Sequence, residues 1–257
     1  MDKTVIFLCR DGVDGILSGI YDVFRSGIEA DSCRLEMESS CEPCLFSEYR
    51  HCERDGKKAE KTVKSIRTKI SQEALENVYR AALHKSPERA DRIFRFILKG
   101  IRYGASVMTR MQDPDVYAVF SMNRYVMNEA HLLTGFVRFR KEKNGIFRGC
   151  IGPENDVLEL VAGHFADRLP DERWWLYDEK RKKAAVHNSD GRWAIMEVAE
   201  ENREAAEGGN FVPEEYDRYE DLWKQFFSSI SIEERRNPVC QRNMLPLRYR
   251  SYMTEFL

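Results

Sequence analysis

The sequence predicts an α+β fold: an N-terminal βα and helical section packed on an antiparallel strand-strand-helix-strand-strand core. Three observations predict it. A short apolar run, Thr4 to Cys9, leads directly into a helical pattern. Helical apolar spacing dominates from Lys57 to Leu133. From Thr134 onward the period changes, with two strand-like stretches before the helical spacing of Val157 to Leu169 and two after it.

Taken in order, Gly12 to Gly27 forms the first helix, with Ile16, Leu17, Ile20, Tyr21, Val23 and Phe24 on its apolar side. The glycines at 12, 15 and 19 invite comparison with a dinucleotide fingerprint, but their spacing is G-x-x-G-x-x-x-G, and Asp11 and Asp14 would repel a diphosphate. Capping by Asp11 and close packing at Gly15 and Gly19 are expected instead. Asp31 to Asp55 reads as an irregular, cysteine-rich excursion of extended or short-strand character. Helices follow at Glu60 to Ile70, Glu88 to Tyr103 and Ser121 to Leu133, with a break from Gly104 to Pro114. Phe136, Arg138 and Arg140 alternate with Val137 and Phe139 as a strand; Asn144-Gly145 signals a hairpin, and Ile146 to Ile151 is its antiparallel partner. Pro153 and Asp156 suit the start of the helix at Val157. Arg173 to Tyr177, Ala184 to His187 and Arg192 to Met196 complete the sheet. Glu200 to Tyr216 is an acidic, glycine-containing loop, Tyr219 to Ile232 a helix, and Asn237 to Leu257 a docked arm. This divides the chain into 1–120 and 121–257, either as two domains or as one compact body.

The composition is that of a soluble globular protein: 257 residues, 42% hydrophobic, 33% charged, net charge −2. The longest apolar run, Val5 to Cys9, is far short of the roughly 20 residues a membrane span requires, and the start lacks a secretory pattern, so a cytoplasmic location is expected. Seven cysteines, an odd number, then imply reduced thiols more than a disulfide framework. Charge is uneven. Arg54 to Arg110 holds about fifteen Lys/Arg against about six Asp/Glu, whereas Glu197 to Asp221 holds about ten acids against two arginines. The basic stretch reads either as a surface for a phosphate backbone or as ordinary solvated helix faces.

Candidate chemistry gathers in three places. Cys41-Glu-Pro-Cys44, with Cys33, His51 and Cys52, offers thiolate and imidazole groups of the kind zinc favours, but a second C-x-x-C is missing, so scattered thiols and no bound metal are the expectation. On a helical wheel, Arg168 falls inside the apolar arc of Val157 to Leu169 and His164 one turn earlier at its margin; a buried guanidinium needs an acceptor, and Glu129, among the apolar residues of Ser121 to Leu133, is the expected partner. That group reads either as a structural lock or as the polar floor of a pocket, in which Arg168 holds a phosphate or carboxylate and His164, His131 and Glu129 are the catalytic candidates. The outer face presents Arg124, Asn128 and His131 on a helix, Arg138 and Arg140 on a strand, and the basic run Lys180, Arg181, Lys182, Lys183. Of Trp174 and Trp175, one points inward in a strand, leaving Trp175 as the stacking candidate; aromatics with Arg and Lys suit single-stranded nucleic acid.

The order Asp11-Gly-Val-Asp-Gly15, Lys69-Ile-Ser71, Glu129-Ala-His131, Thr134-Gly-Phe-Val-Arg-Phe-Arg140, Gly149-Cys-Ile-Gly-Pro-Glu154, His164-Phe-Ala-Asp-Arg168, Trp174-Trp-Leu-Tyr-Asp178, Asn237-Pro, Pro246-Leu-Arg-Tyr249 and Glu255 resembles the domain of unknown function DUF4130, in DNA metabolism proteins associated with a radical S-adenosylmethionine (radical SAM) DNA modification or repair protein. The resemblance implies DNA handling, with DNA and that radical SAM protein as partners, and assigns no reaction and no cofactor. The C-x-x-x-C-x-x-C arrangement of a radical enzyme's own cluster is absent here. The leading expectation is therefore a DNA-binding or accessory component of a repair or modification system. A DNA-acting hydrolase or glycosylase-like enzyme and a partner-docking adaptor without DNA affinity are the alternatives.

Overall fold

A computed structural model describes residues 4–142, 145–199, 218–230, 232–235 and 237–256. The fold is α+β, and the chain divides into two compact units, Met1–Asn128 and Glu129–Leu257. The division falls inside a helix, a little beyond the boundary at 120/121 expected from sequence.

In the first unit, β1 (Thr4–Cys9) lies between β2 (Cys33–Met37) and β3 (Ser47–Cys52) in a parallel sheet of order β2-β1-β3. A central parallel strand is buried on both faces, which explains the unbroken apolar run of Val5 to Cys9. The excursion between Asp31 and Asp55 thus supplies both outer strands. Helix α1 (Val13–Ser26) packs back with Ile16, Leu17, Ile20 and Val23 buried. An added Cβ at Gly15 would lie 2.0 Å from the Arg10 carbonyl oxygen, and at Gly19 2.2 Å from Cys9 Sγ, so both glycines serve close packing. Asp11 is not the cap: Gly12 occupies that position, while the Asp11 carboxylate accepts hydrogen bonds from Ser39 (3.0 Å) and Arg89 (3.1 Å). Helices α2 (Gly56–Lys69) and α3 (Gln72–Ala82) are capped by the side chains of Asp55 and Ser71. After α4 (Arg89–Tyr103) a 3-10 turn at Gly104–Thr109 makes the expected break. Helix α5 (Pro114–Phe136) then carries the chain into the second unit.

There, β4 (Arg140–Lys141), β5 (Phe147–Ile151), α6 (Leu158–Arg168), β6 (Trp174–Asp178), β7 (Lys183–His187) and β8 (Trp193–Glu197) give the expected strand-strand-helix-strand-strand order, with the stretch expected at Arg192 to Met196 forming a separate fifth strand. Two expectations are corrected. The helix persists through Phe136, so the alternation from 136 to 140 yields only a two-residue strand. The sheet, of order β4-β5-β6-β7-β8, is mixed and not antiparallel, because β5 and β6 run parallel. The reason is connectivity: α6 is a crossover that returns the chain to the end where β5 began. Glu142 N–H donates to the Ile146 carbonyl at 2.8 Å across the β4-β5 turn, where Gly145 takes φ 78; Asn144 lies outside the described residues. Phe165 of α6 meets Phe139 and Trp174 at ring separations of 4.9 and 6.5 Å, so α6 covers the Trp174 face of the sheet. The arm comprises α7 (Arg218–Ser229), α8 (Pro238–Met244) and α9 (Leu247–Arg250), with Tyr249 and Met253 buried; the expected loop at Glu200 to Tyr216 lies outside the described residues.

Candidate functional site

The motif residues of the second unit converge on Glu129, which is 5% exposed. One carboxylate oxygen accepts the Glu154 N–H (2.8 Å) and the Tyr249 hydroxyl (2.7 Å); the other accepts the Asn155 N–H (2.8 Å) and side-chain amide (2.6 Å). Two donors per oxygen fill the acceptor positions of a carboxylate, leaving none aimed at a substrate proton. Burial, then Glu129, pushes the Tyr249 hydroxyl up to about 12. Arg248 stands 3.9 Å from Glu129, at the exposed rim.

Around this hub the predicted phosphate contacts have become fasteners. Arg181 holds wholly buried Asp178 (3.1 Å) and donates to the carbonyls of Pro153 (3.2 Å) and Glu154 (2.6 Å). Lys180 is paired with Glu154. Burial raises the Asp178 carboxyl above its usual range in spite of Arg181. Arg138 pairs at 2.6 Å with Glu255, whose side chain is 2% exposed. Burial would push the Glu255 carboxyl up, but Arg138 outweighs it and holds the group below its ordinary value. Tyr252 donates to Glu179 directly over Gly152, where an added Cβ would sit 2.1 Å from the hydroxyl. The cluster fastens the loop at 152–156 and the C-terminal arm together.

The expected Glu129–Arg168 pair does not form. Arg168 is exposed, as is His164, whose ring meets Phe165 edge-on. The buried arc of α6 is set by Leu158, Val161, Ala162 and Phe165, and Arg168 ends the helix beyond the packed length. His131 is also exposed, so the three catalytic candidates do not share an environment. Arg124 and Asn128 are exposed on α5 in the first unit, and Lys182 is half-buried in the β6-β7 turn at φ 55. The cysteines do not form one shell. Cys33 sits opposite Val5 and Cys52 opposite Cys9, four residues apart along β1 or roughly 13 Å, while Cys41 and Cys44 lie in the loop between. Among the described residues no group of three or more His, Cys, Asp or Glu side chains is disposed to hold a metal ion.

One predicted pair does gain a setting. With Trp174 facing α6, alternation places Trp175 on the opposite face, where it is half-buried. The register Arg140↔Arg148, Arg148↔Trp175, Trp175↔Val186 and Val186↔Ala194 forms one transverse row over all five strands. The Arg148 guanidinium lies 5.2 Å from the Trp175 ring centre and 3.2 Å from Glu142. Arg140 and Arg148 are directly opposed across an antiparallel pair, where like charges repel. Arg148 was missed in the sequence because only the parallel register puts it beside Trp175; its signal was being the one charge in Phe147-Arg-Gly-Cys-Ile151.

The family model for DUF4130, a domain of unknown function, matches residues 87–255. No curated protein matches the chain.

Proposed function

We propose, from the premise that this chain belongs to the DUF4130 family, that it is a nucleic-acid-binding protein whose second unit takes a single strand on the β4-β8 sheet face opposite α6. The observation that carries the reading is the opposed pair Arg140 and Arg148 beside Trp175. Two guanidinium groups in register concentrate positive charge on this strand pair, where Glu142 lies 3.2 Å from Arg148, and such a basic pair is of the kind that contacts a phosphate backbone. An aromatic ring next to them stacks any base, which gives sequence-tolerant binding. Glu129, with its acceptor positions filled, speaks for an arm-docking role and against a hydrolytic centre at that point. The finer reading, a DNA-binding accessory component of a repair or modification system working beside a radical SAM protein, rests on the resemblance of the motifs.

The test is a fluorescence-anisotropy titration with single-stranded and duplex DNA at two salt concentrations. Binding that favours the single strand and weakens with salt is expected. Trp175→Ala should cost about 1–3 kcal/mol for one stacked base, and Arg140→Ala should lower the single-strand salt slope by about 0.7. Unaltered binding by both variants, with native circular dichroism, would remove the sheet face from consideration.

A further inference from the structure

The first unit carries a second basic surface, outside the residues matched by the family model. Helix α2 buries Ala59, Thr62 and Ile66, and its position is fixed by the Thr62 hydroxyl donating to the Leu17 carbonyl (3.0 Å) and by Lys58 paired with Asp22 (2.8 Å). The opposite side presents Lys57, Lys61, Lys64 and Arg67, all exposed, at spacings of four and three residues. They make no ion pair among the described residues, not even Lys64 with Glu60 one turn before it. Several other cations of the unit are paired: Arg54 with Asp14, Arg89 with Asp11, Arg92 and Lys99 with Asp115.

Helix stability does not explain the pattern. The first turn has no acid and two lysines, which opposes the helix dipole, and cations three and four residues apart repel. Lys61 is held 5.3 Å above the Tyr21 ring, so this charge is positioned. From Lys57 to Arg67 the stripe spans about 15 Å at about 1.5 Å per residue, the axial length of roughly four nucleotides at about 3.4 Å per strand step.

We infer that this face of α2 grips the phosphate backbone of a nucleic acid, a contact that rests on the nucleic-acid reading of the second unit and adds to it a sequence-independent clamp. The experiment is the same titration, run from about 50 to 200 mM salt, on the intact chain, on the triple variant Lys57→Gln, Lys61→Gln, Lys64→Gln, and on Trp175→Ala. Glutamine keeps helix propensity, and circular dichroism checks the fold. The triple variant should bind at least tenfold more weakly at low salt, with a salt slope lower by about two, since each single-strand phosphate contact contributes about 0.7. If it binds like the parent while Trp175→Ala is weakened, the α2 inference is overturned and the sheet reading stands. If only the triple variant is weakened, α2 stands and the sheet reading falls. No binding by the parent at low salt overturns both and leaves an acidic protein as the partner of α2.

Discussion

Gly152 has no space for even one more carbon, because the Tyr252 hydroxyl would lie 2.1 Å from an added Cβ. Gly152→Ala should therefore push the arm from the 152–156 loop and destabilise by about 1–3 kcal/mol, read as a lower urea midpoint by circular dichroism. Gly163 is the internal control: it sits inside α6 with nothing within 4 Å of its Cβ position, so Gly163→Ala should stabilise by about 0.5–1 kcal/mol. Equal effects at the two sites would refute this view of the arm. Residue-scale reading of the sequence succeeded for Glu129, whose place among apolar neighbours on α5 announced that it faces inward. It failed for the partner. The donors come from Asn155 and from Tyr249, 120 positions away, and a helical wheel carries no information about such contacts.

Element by element, periodicity found helices reliably and strand pairing poorly. α2, α4 and α6 were legible because amphipathic spacing repeats over several turns. β4 was overestimated because a helix with a favourable core face extends past the point where strand-like alternation begins. The direction of β5 against β6 depends on the crossover, which no local pattern encodes. Caps are the local signals that tertiary structure left in place at α2. Asp55 accepts from the Lys57 and Lys58 N–H groups at the start of α2, so Asp55→Ala should cost about 1 kcal/mol in chemical unfolding. It should also weaken DNA binding if α2 grips phosphate, through loss of order in the first turn. A variant as stable as the parent would show that the cap is dispensable.

For the whole molecule, stability against acid should draw on both units. In the first, burial would raise the Asp113 carboxyl, but Lys99 and the N–H groups of Asp115 and Val116 prevail and lower it. In the second, Arg138 does the same for Glu255. A carboxyl depressed in the folded state stabilises while ionised, fully above its unfolded value, and that contribution is lost as pH falls through the folded one. Both contributions should thus be complete above about pH 5 and decline below the ordinary Glu and Asp values of about 4.3 and 3.9. Asp178, raised by burial, acts in the other sense: its ionised form is disfavoured in the folded state, so protonation on acidification relieves a cost. Urea midpoints measured across pH 3 to 7 should show the decline, and Glu255→Gln should flatten its upper part; an unchanged profile would show that the Arg138 pair adds nothing. No described helix is long and apolar enough to cross a membrane.

Sequence alone determined the α+β class, the main helices, the inward place of Glu129 and the basic character of the stretch containing α2, since each follows from local period or composition. Only the tertiary structure decided the mixed sheet, the use of Arg138 and Arg181 as fasteners, and the row that joins Arg140 and Arg148 to Trp175. Those outcomes depend on which distant groups meet. Burial makes a charged side chain take the nearest complementary partner, and that partner is chosen by topology, not by spacing along the chain.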